Sequence, residues 1–125
     1  MHKIINSSNA PAPIGPYSQA TLAGNTLYVS GQIPIDPSTG KLISGSIEEE
    51  TDRVMKNLNA ILVEVGADFS NVVKCSIFVK DMSDFAKING IYGEYFQSNP
   101  PARETVEVSR LPKDVRVEIS CIAII

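Results

Sequence analysis

The last stretch of the chain leaves the fewest folds open. Read as a strand over residues 115–125, it turns Val117, Ile119, Cys121, Ala123 and Ile125 to one side and Arg116, Glu118, Ser120, Ile122 and Ile124 to the other. Its C-terminal half is therefore apolar on both sides, and such a strand needs a cover on each face. Helices can supply one cover. For the other face the simplest candidate is a second copy of the chain, with the Pro-rich N-terminal segment as the alternative. The pattern predicts a homo-oligomer built on a sheet.

The remaining segments say what packs around that strand. Residues 3–6 start extended and run into a loop carrying Pro11, Pro13 and Pro16 ahead of Tyr17, where no helix can continue. Residues 18–23 and 26–30 read as strands joined by Gly24-Asn25, a pair able to supply the positive φ angles of a tight hairpin. Asp36-Pro37-Ser38-Thr39-Gly40 is a turn before residues 41–43. Ser46 and Glu49 have capping-box spacing, and Val54, Leu58, Ile61, Leu62 and Val65 follow at helical intervals up to Gly66. Glu48, Glu49 and Glu50 in the first turn complement the helix dipole. Residues 71–80 alternate, with Val73, Cys75, Ile77 and Val79 on one side. A second helix is predicted over 83–97, with Phe85, Ile88, Tyr92 and Phe96 (or Tyr95) along one face and Asn89 at its edge, positioned to cap or anchor nearby backbone. Residues 103–111 and 115–125 are strands flanking a Leu-Pro-Lys-Asp turn. The order βββαβαββ predicts a single α+β domain over residues 1–125, with both helices on one face of the sheet.

Composition narrows the function classes. At 125 residues, 43% hydrophobic and 20% charged, the chain can bury a core without disulfides or a structural metal. A net charge of −3 argues against nucleic acid as the main partner, because phosphate backbones are gripped by clustered Lys and Arg. His2 is the only histidine, which removes most His-based triads and zinc sites. Cys75 and Cys121 lie within apolar segments with no CxxC spacing, as buried, reduced thiols do. The first residues lack the apolar core of a signal peptide, and no run approaches the roughly 18 apolar residues of a membrane span. The expectation is a cytoplasmic protein with no membrane partner.

Few polar groups with chemical capacity remain. Arg103 opens a strand behind the rigid Pro100-Pro101 approach and shares a face with Thr105 and Glu107. A guanidinium fixed there suits bidentate capture of a carboxylate, the alternative being a solvated or salt-bridged surface arginine. Glu118 lies among apolar neighbours. If its face is an interface, desolvation raises its pKa toward the range of a general acid or base; otherwise it pairs with Arg103, Arg110 or Arg116. Tyr17, after Gly15-Pro16, either positions water or substrate with its hydroxyl or lids the core.

Four strings carry a wider resemblance: Gly15-Pro16-Tyr17-Ser18-Gln19-Ala20, Tyr28-Val29-Ser30-Gly31-Gln32-Ile33-Pro34, Pro101-Ala102-Arg103 and Val106-Glu107-Val108-Ser109-Arg110-Leu111-Pro112. In this order and spacing, with Val117-Glu118-Ile119 behind them, they resemble the reactive intermediate deaminase A (RidA) family, also called the YjgF family, across essentially the whole chain. The resemblance implies a homotrimer of chorismate-mutase-like subunits with clefts between subunits. It implies hydrolysis of 2-iminobutanoate and 2-iminopropanoate, the tautomers of reactive enamines, to 2-keto acids and ammonia without metal or organic cofactor. By match of position, Arg103 is implied to bind the substrate carboxylate, Glu118 to attend the attacking water and Tyr17 to line the cleft. Asn89 and the Ser30-Gly31 backbone complete the implied pocket.

Thr105 stands where many members of that family carry a cysteine, so any thiol-dependent role is not expected here, although its hydroxyl and backbone N–H remain available to a ligand. The rival reading is a non-catalytic sensor of 2-keto acids or similar small carboxylates, which would need Arg103 but not Glu118. Ribonuclease activity, also attributed to parts of the family, finds little support in an acidic chain whose one histidine is at the terminus, and a chaperone role would need exposed apolar surface.

Overall fold

The structure, a computed structural model, describes residues 1–125. Its strands are β1 (Lys3–Ile5), β2 (Ala20–Ala23), β3 (Thr26–Gln32), β4 (Ile35–Asp36), β5 (Lys41–Leu42), β6 (Val72–Val79), β7 (Ala102–Glu107) and β8 (Val117–Ile124). Helix α1 (Ile47–Glu64) lies between β5 and β6, and α2 (Phe85–Tyr95) between β6 and β7. Six strands form one sheet in the order β1-β2-β3-β8-β6-β7, while β4 and β5 pair in a separate ribbon. Every pairing is antiparallel except β6 with β7, which α2 joins as a crossover. The last strand in sequence is thus interior in the sheet, between β3 and β6.

Local chemistry sets the element ends. The β2–β3 hairpin turns on Gly24-Asn25 with positive φ at Gly24 alone (61°), the sign pattern of a type II′ turn. Ser46 caps α1 with both halves of the capping box in place. Helix α2 is shorter than its sequence pattern suggests. Residues Met82–Asp84 form a 3-10 turn capped by Asp81, and the helix ends at Tyr95. Two glycines, Gly90 and Gly93, weaken its propensity, and Pro100-Pro101 stop any continuation.

Two strand expectations need correction. Val73 is exposed and Val72 buried, because a register shift between Val72 and Lys74 against β8 inserts an extra residue and reverses the alternation at that end. The strand expected over 103–111 stops at Glu107. The chain then leaves the sheet through a turn in which Lys113 and Asp114 take left-handed φ (55° and 56°), held by the Arg110–Asp114 ion pair (Nε–Oδ1 2.8 Å).

Both helices pack on one face. Val54, Leu58, Ile61 and Leu62 of α1 and Ile88 and Tyr92 of α2 close over Leu27, Ile77, Val117 and Ile119 of the sheet. Cys75 and Cys121 sit opposite each other in the β6–β8 ladder, buried and unbridged, as expected. Burial pushes both thiols up, so they stay protonated and inert. The other face is open. Tyr28, Val106 and Ile124 are exposed there, and the Pro-rich segment covers only the end near Glu118. No helix is long and apolar enough to cross a membrane.

Candidate active site

Arg103 is held from three sides and has no carboxylate partner. Its Nη1 donates to Asn89 Oδ1 at 2.7 Å, and the guanidinium stacks 5.0 Å from the Tyr92 ring centre and 5.4 Å from that of Phe85. The chain's ion pairs use Lys56, Lys74, Arg110 and Arg116 instead. A cation so fixed and unpaired, at the mouth of a cleft of about 430 Å³ lined by Asn89, Phe96, Pro100 and Pro101, is a ready anion site. Asn89 is exposed and serves the guanidinium, not the backbone it was expected to cap.

The edge position of β7 adds a second donor. Val108 N–H donates to Val79 O at 2.9 Å, so peptide groups of that parity turn inward to β6. Those of Arg103, Thr105 and Glu107 then face the free edge of the sheet. The Thr105 backbone N–H is thereby left free at the sheet edge, two residues along the strand from Arg103. Its hydroxyl is not available: Oγ1 is buried without a hydrogen-bond partner, which corrects the expectation that it faces a ligand.

A different cleft, of about 480 Å³, surrounds Glu118. Residues Pro11, Ile14 and Tyr17 form one wall, Ile33 and Ile35 another, and Ser30-Gly31 the floor, with Pro112 and Lys113 at the rim. Glu118 is half-buried, and burial alone pushes its carboxyl above the usual carboxylate range. None of the arginines named as its possible partners pairs with it. Arg110 holds Asp114, Arg116 holds Glu50, and Arg103 holds Asn89. Gly31 lies hard against the acid, where a Cβ would fall on Glu118 Oε2 and 2.8 Å from Cδ.

The floor is irregular backbone. Between the pairs Val29–Cys121 and Gln32–Ile119, Ser30 and Gly31 oppose only Ser120, a bulge that takes this segment out of the ladder. Ser30 donates its hydroxyl to Ser18 O at 2.6 Å and its N–H to Gln19 O at 2.9 Å, so its side chain ties the floor to the Tyr17 loop. Tyr17 is half exposed, and its hydroxyl accepts from Ile14 N–H at 3.4 Å.

Within one chain these residues form two groups. Tyr17, Ser30, Gly31 and Glu118 meet in one cleft, and Arg103 and Asn89 at the other, with Thr105 two residues along the strand from Arg103. Arg103 is in register with Cys75 and Glu118 with Phe78 on the same strand β6. Those partners have opposite parity, so the two side chains leave opposite faces of the sheet. Sequence reading placed Phe85 and Tyr92 in the apolar face of α2 and missed that both rings meet the Arg103 guanidinium; the available signal was aromatic rings flanking Asn89 at i−4 and i+3. It also missed Ile33 and Ile35 as cleft walls. Nowhere do three or more His, Cys, Asp or Glu side chains gather as a metal-binding set.

Known proteins share this architecture. The profile of the family described as Endoribonuclease L-PSP matches residues 7–125. A RutC family protein of Pyrococcus horikoshii is 54% identical over 98% of this chain and 98% of its own. A human protein named 2-iminobutanoate/2-iminopropanoate deaminase is 48% identical over 99% of this chain and 90% of its own. Among solved structures, the YjgF gene product of E. coli superposes with a TM-score of 0.93 at 42% identity, covering 98% of each chain. E. coli TdcF with bound serine gives a TM-score of 0.94 at 39% identity over 98% of each chain. With its fold and nearly its whole length matched in this way, the chain belongs to the Endoribonuclease L-PSP family, the YjgF/RidA group.

Proposed function

We propose that the protein is a 2-iminobutanoate/2-iminopropanoate deaminase, acting in the cytoplasm as a homotrimer with each active site between two subunits. The observation that carries this reading is the division of the site. Arg103, a carboxylate anchor held by Asn89, and Glu118, an acid in an apolar cleft with Tyr17, Ser30 and Gly31, leave opposite faces of one sheet. A second copy can supply to each what its own chain cannot. The exposed Tyr28, Val106 and Ile124 on the open face are the surface such a copy would cover.

The chemistry asks for little more. Arg103 holds the carboxylate of the 2-imino acid, fixing the C=N carbon in the neighbour's cleft. Glu118, a stronger base than an exposed carboxylate because it is desolvated, takes a proton as water oxygen bonds to that carbon. Glu118 passes that proton to the imine nitrogen as its π bond to carbon opens, and relays the hydroxyl proton to the nitrogen in the step that follows. Collapse of the resulting carbinolamine breaks the C–N bond, releasing ammonia and forming the 2-keto acid carbonyl, with Glu118 returning to its starting state. The human relative bearing this activity's name supports the substrate class, and the serine held by TdcF is a small carboxylate of similar size.

The test is 2-keto acid release from 2-iminobutanoate generated in situ, with wild type, Arg103→Ala and no protein. Acceleration by wild type alone is expected. Equal turnover by Arg103→Ala would remove Arg103 from the site, and no acceleration by a wild type shown to be trimeric would favour a second reading. In that reading the protein is a 2-keto acid sensor, a role for which the Arg103 anchor suffices because it is assembled within one chain. Titration with 2-oxobutanoate then shows saturable binding that survives Glu118→Gln.

A further inference from the structure

We propose that three buried amides, Gln19, Gln32 and Asn57, are positioning residues that hold the backbone walls of the Glu118 cleft; the catalytic part of the claim rests on the deaminase reading. No other asparagine or glutamine of the chain is buried. Each of the three donates to the backbone of that one cleft. Gln19 Nε2 reaches Pro11 O at 2.9 Å, Ser7 O at 3.0 Å and Ala10 O at 3.3 Å, while its Oε1 accepts from Ser7 N–H at 2.6 Å. Asn57 Nδ2 donates to Ile35 O at 2.9 Å and Ile33 O at 3.2 Å, and Gln32 Nε2 to Ser30 O at 3.2 Å. One amide thus serves the Tyr17 side, one the floor, and one the isoleucine side.

The need for side-chain donors follows from the backbone. Pro11, Pro13, Pro16 and Pro34 bring carbonyls without N–H groups, and the Ser30–Gly31 bulge is out of the ladder, so these walls carry more acceptors than their own backbone can satisfy. Asparagine is a poor choice inside a helix, where apolar residues would pack α1 as well. Asn57 nonetheless lies fully buried in α1, with Oδ1 accepting from Arg53 Nε at 3.2 Å so that Nδ2 is aimed at the cleft wall. An amide also differs from Lys or Arg in donating without charge. It fixes the walls while leaving the raised affinity of Glu118 for its proton to burial alone.

The test uses Gln19→Met, close in length and without donors, with Gln32→Met, which gives up one bond, as the second variant should the first fail to accumulate folded. Amide exchange is read at Ile14 and Tyr17 for the first and at Ser30 for the second, whose N–H groups are hydrogen-bonded in the structure, against β8 and α1 as internal reference. We expect exchange at those sites to rise about tenfold or more with the reference amides unchanged. For 2-iminobutanoate, kcat falls on the order of tenfold to 10²-fold. Binding of 2-oxobutanoate changes less than about threefold, because the Arg103 anchor lies elsewhere. A uniform rise in exchange over the whole chain, or local loosening with kcat unchanged, would reduce these amides to general stabilisers and overturn the proposal. Should wild type prove inactive, the deaminase reading fails by itself, and the local or uniform character of the exchange still decides whether the amides hold the walls.

Discussion

The Arg103 anchor and the Glu118 cleft are built by opposite means. Arg103 starts a regular strand and is clamped by side chains of a regular helix, two rings and an amide, with its charge left in water. Glu118 projects from a regular strand too, but what surrounds it is a bulge, a proline-rich loop and a left-handed turn. The contrast suits the roles proposed for the two groups. A guanidinium keeps its charge at any working pH and needs only direction, whereas a carboxylate must be partly dried to become a useful base, and concave apolar walls come from backbone that leaves the ladder.

The strongest way to break the comparison is to separate the subunits. Ile122→Glu puts a charge on the open face beside Tyr28, so the proposed trimer should be lost in light scattering and the proposed turnover should drop to the no-protein rate; full activity from a monomer would show that one chain completes its own site. Next come the single knockouts. Arg103→Ala and Glu118→Gln each lower kcat/KM on the order of 10²- to 10³-fold. If the halves come from different subunits, unfolding and refolding the two variants together restores about a quarter of wild-type activity, the share of interfaces that pair an intact anchor with an intact cleft. No recovery in mixed trimers would place both halves in the same chain.

Gly31→Ala sharpens the cleft side alone. Its Cβ displaces the Glu118 carboxyl, so kcat is expected to fall about tenfold or more with the KM nearly unchanged. On the anchor side the gentler change is Asn89→Ala, which removes one hydrogen bond and leaves both rings; KM rises about three- to tenfold with kcat kept.

The pH dependence separates the halves without mutation of the anchor. Because burial raises the Glu118 pKa, the base form is lost as pH falls through that raised value, so kcat declines at a higher pH than an ordinary carboxylate would allow. Glu118→Gln lacks that limb. The same raised pKa means the folded chain holds this proton more tightly than the unfolded chain, so its contribution to stability is present below the unfolded pKa and lost as pH rises through the folded one. Glu118→Gln should therefore have the higher Tm at neutral pH, an expected sign of an acid kept for function.

Much of this molecule was readable before its structure. The two-sided pattern of residues 115–125 asks for a cover on each face, and β8 has the helices over one face while the other stays open. Ser46 and Glu49 announced the start of α1. The errors have definite causes. Val73 came out on the wrong side because a bulge leaves no mark in alternation, and α2 was drawn too long because apolar spacing continues past the point where 3-10 geometry and Phe96 end the helix. At the site, Arg103, Glu118 and Tyr17 stand out by their own position and chemistry and Asn89 by its place on the second helix, while Ser30, Gly31 and the role of each residue are implied only by the family resemblance; the inward turn of the Thr105 hydroxyl and the contacts of Asn57 depend on segments far apart in sequence.

Periodicity, caps and turns are local properties, each decided by residues within a turn or two of one another, and the chain states them directly. That Arg103 and Glu118 leave opposite faces of one sheet is not local. Parity on two strands can be compared only through a third that pairs with both, and β6 acquires that role when β7 lies parallel on one side of it and β8 antiparallel on the other. Register is set by long-range packing and by bulges at single residues, where a slip of one position reverses every side chain.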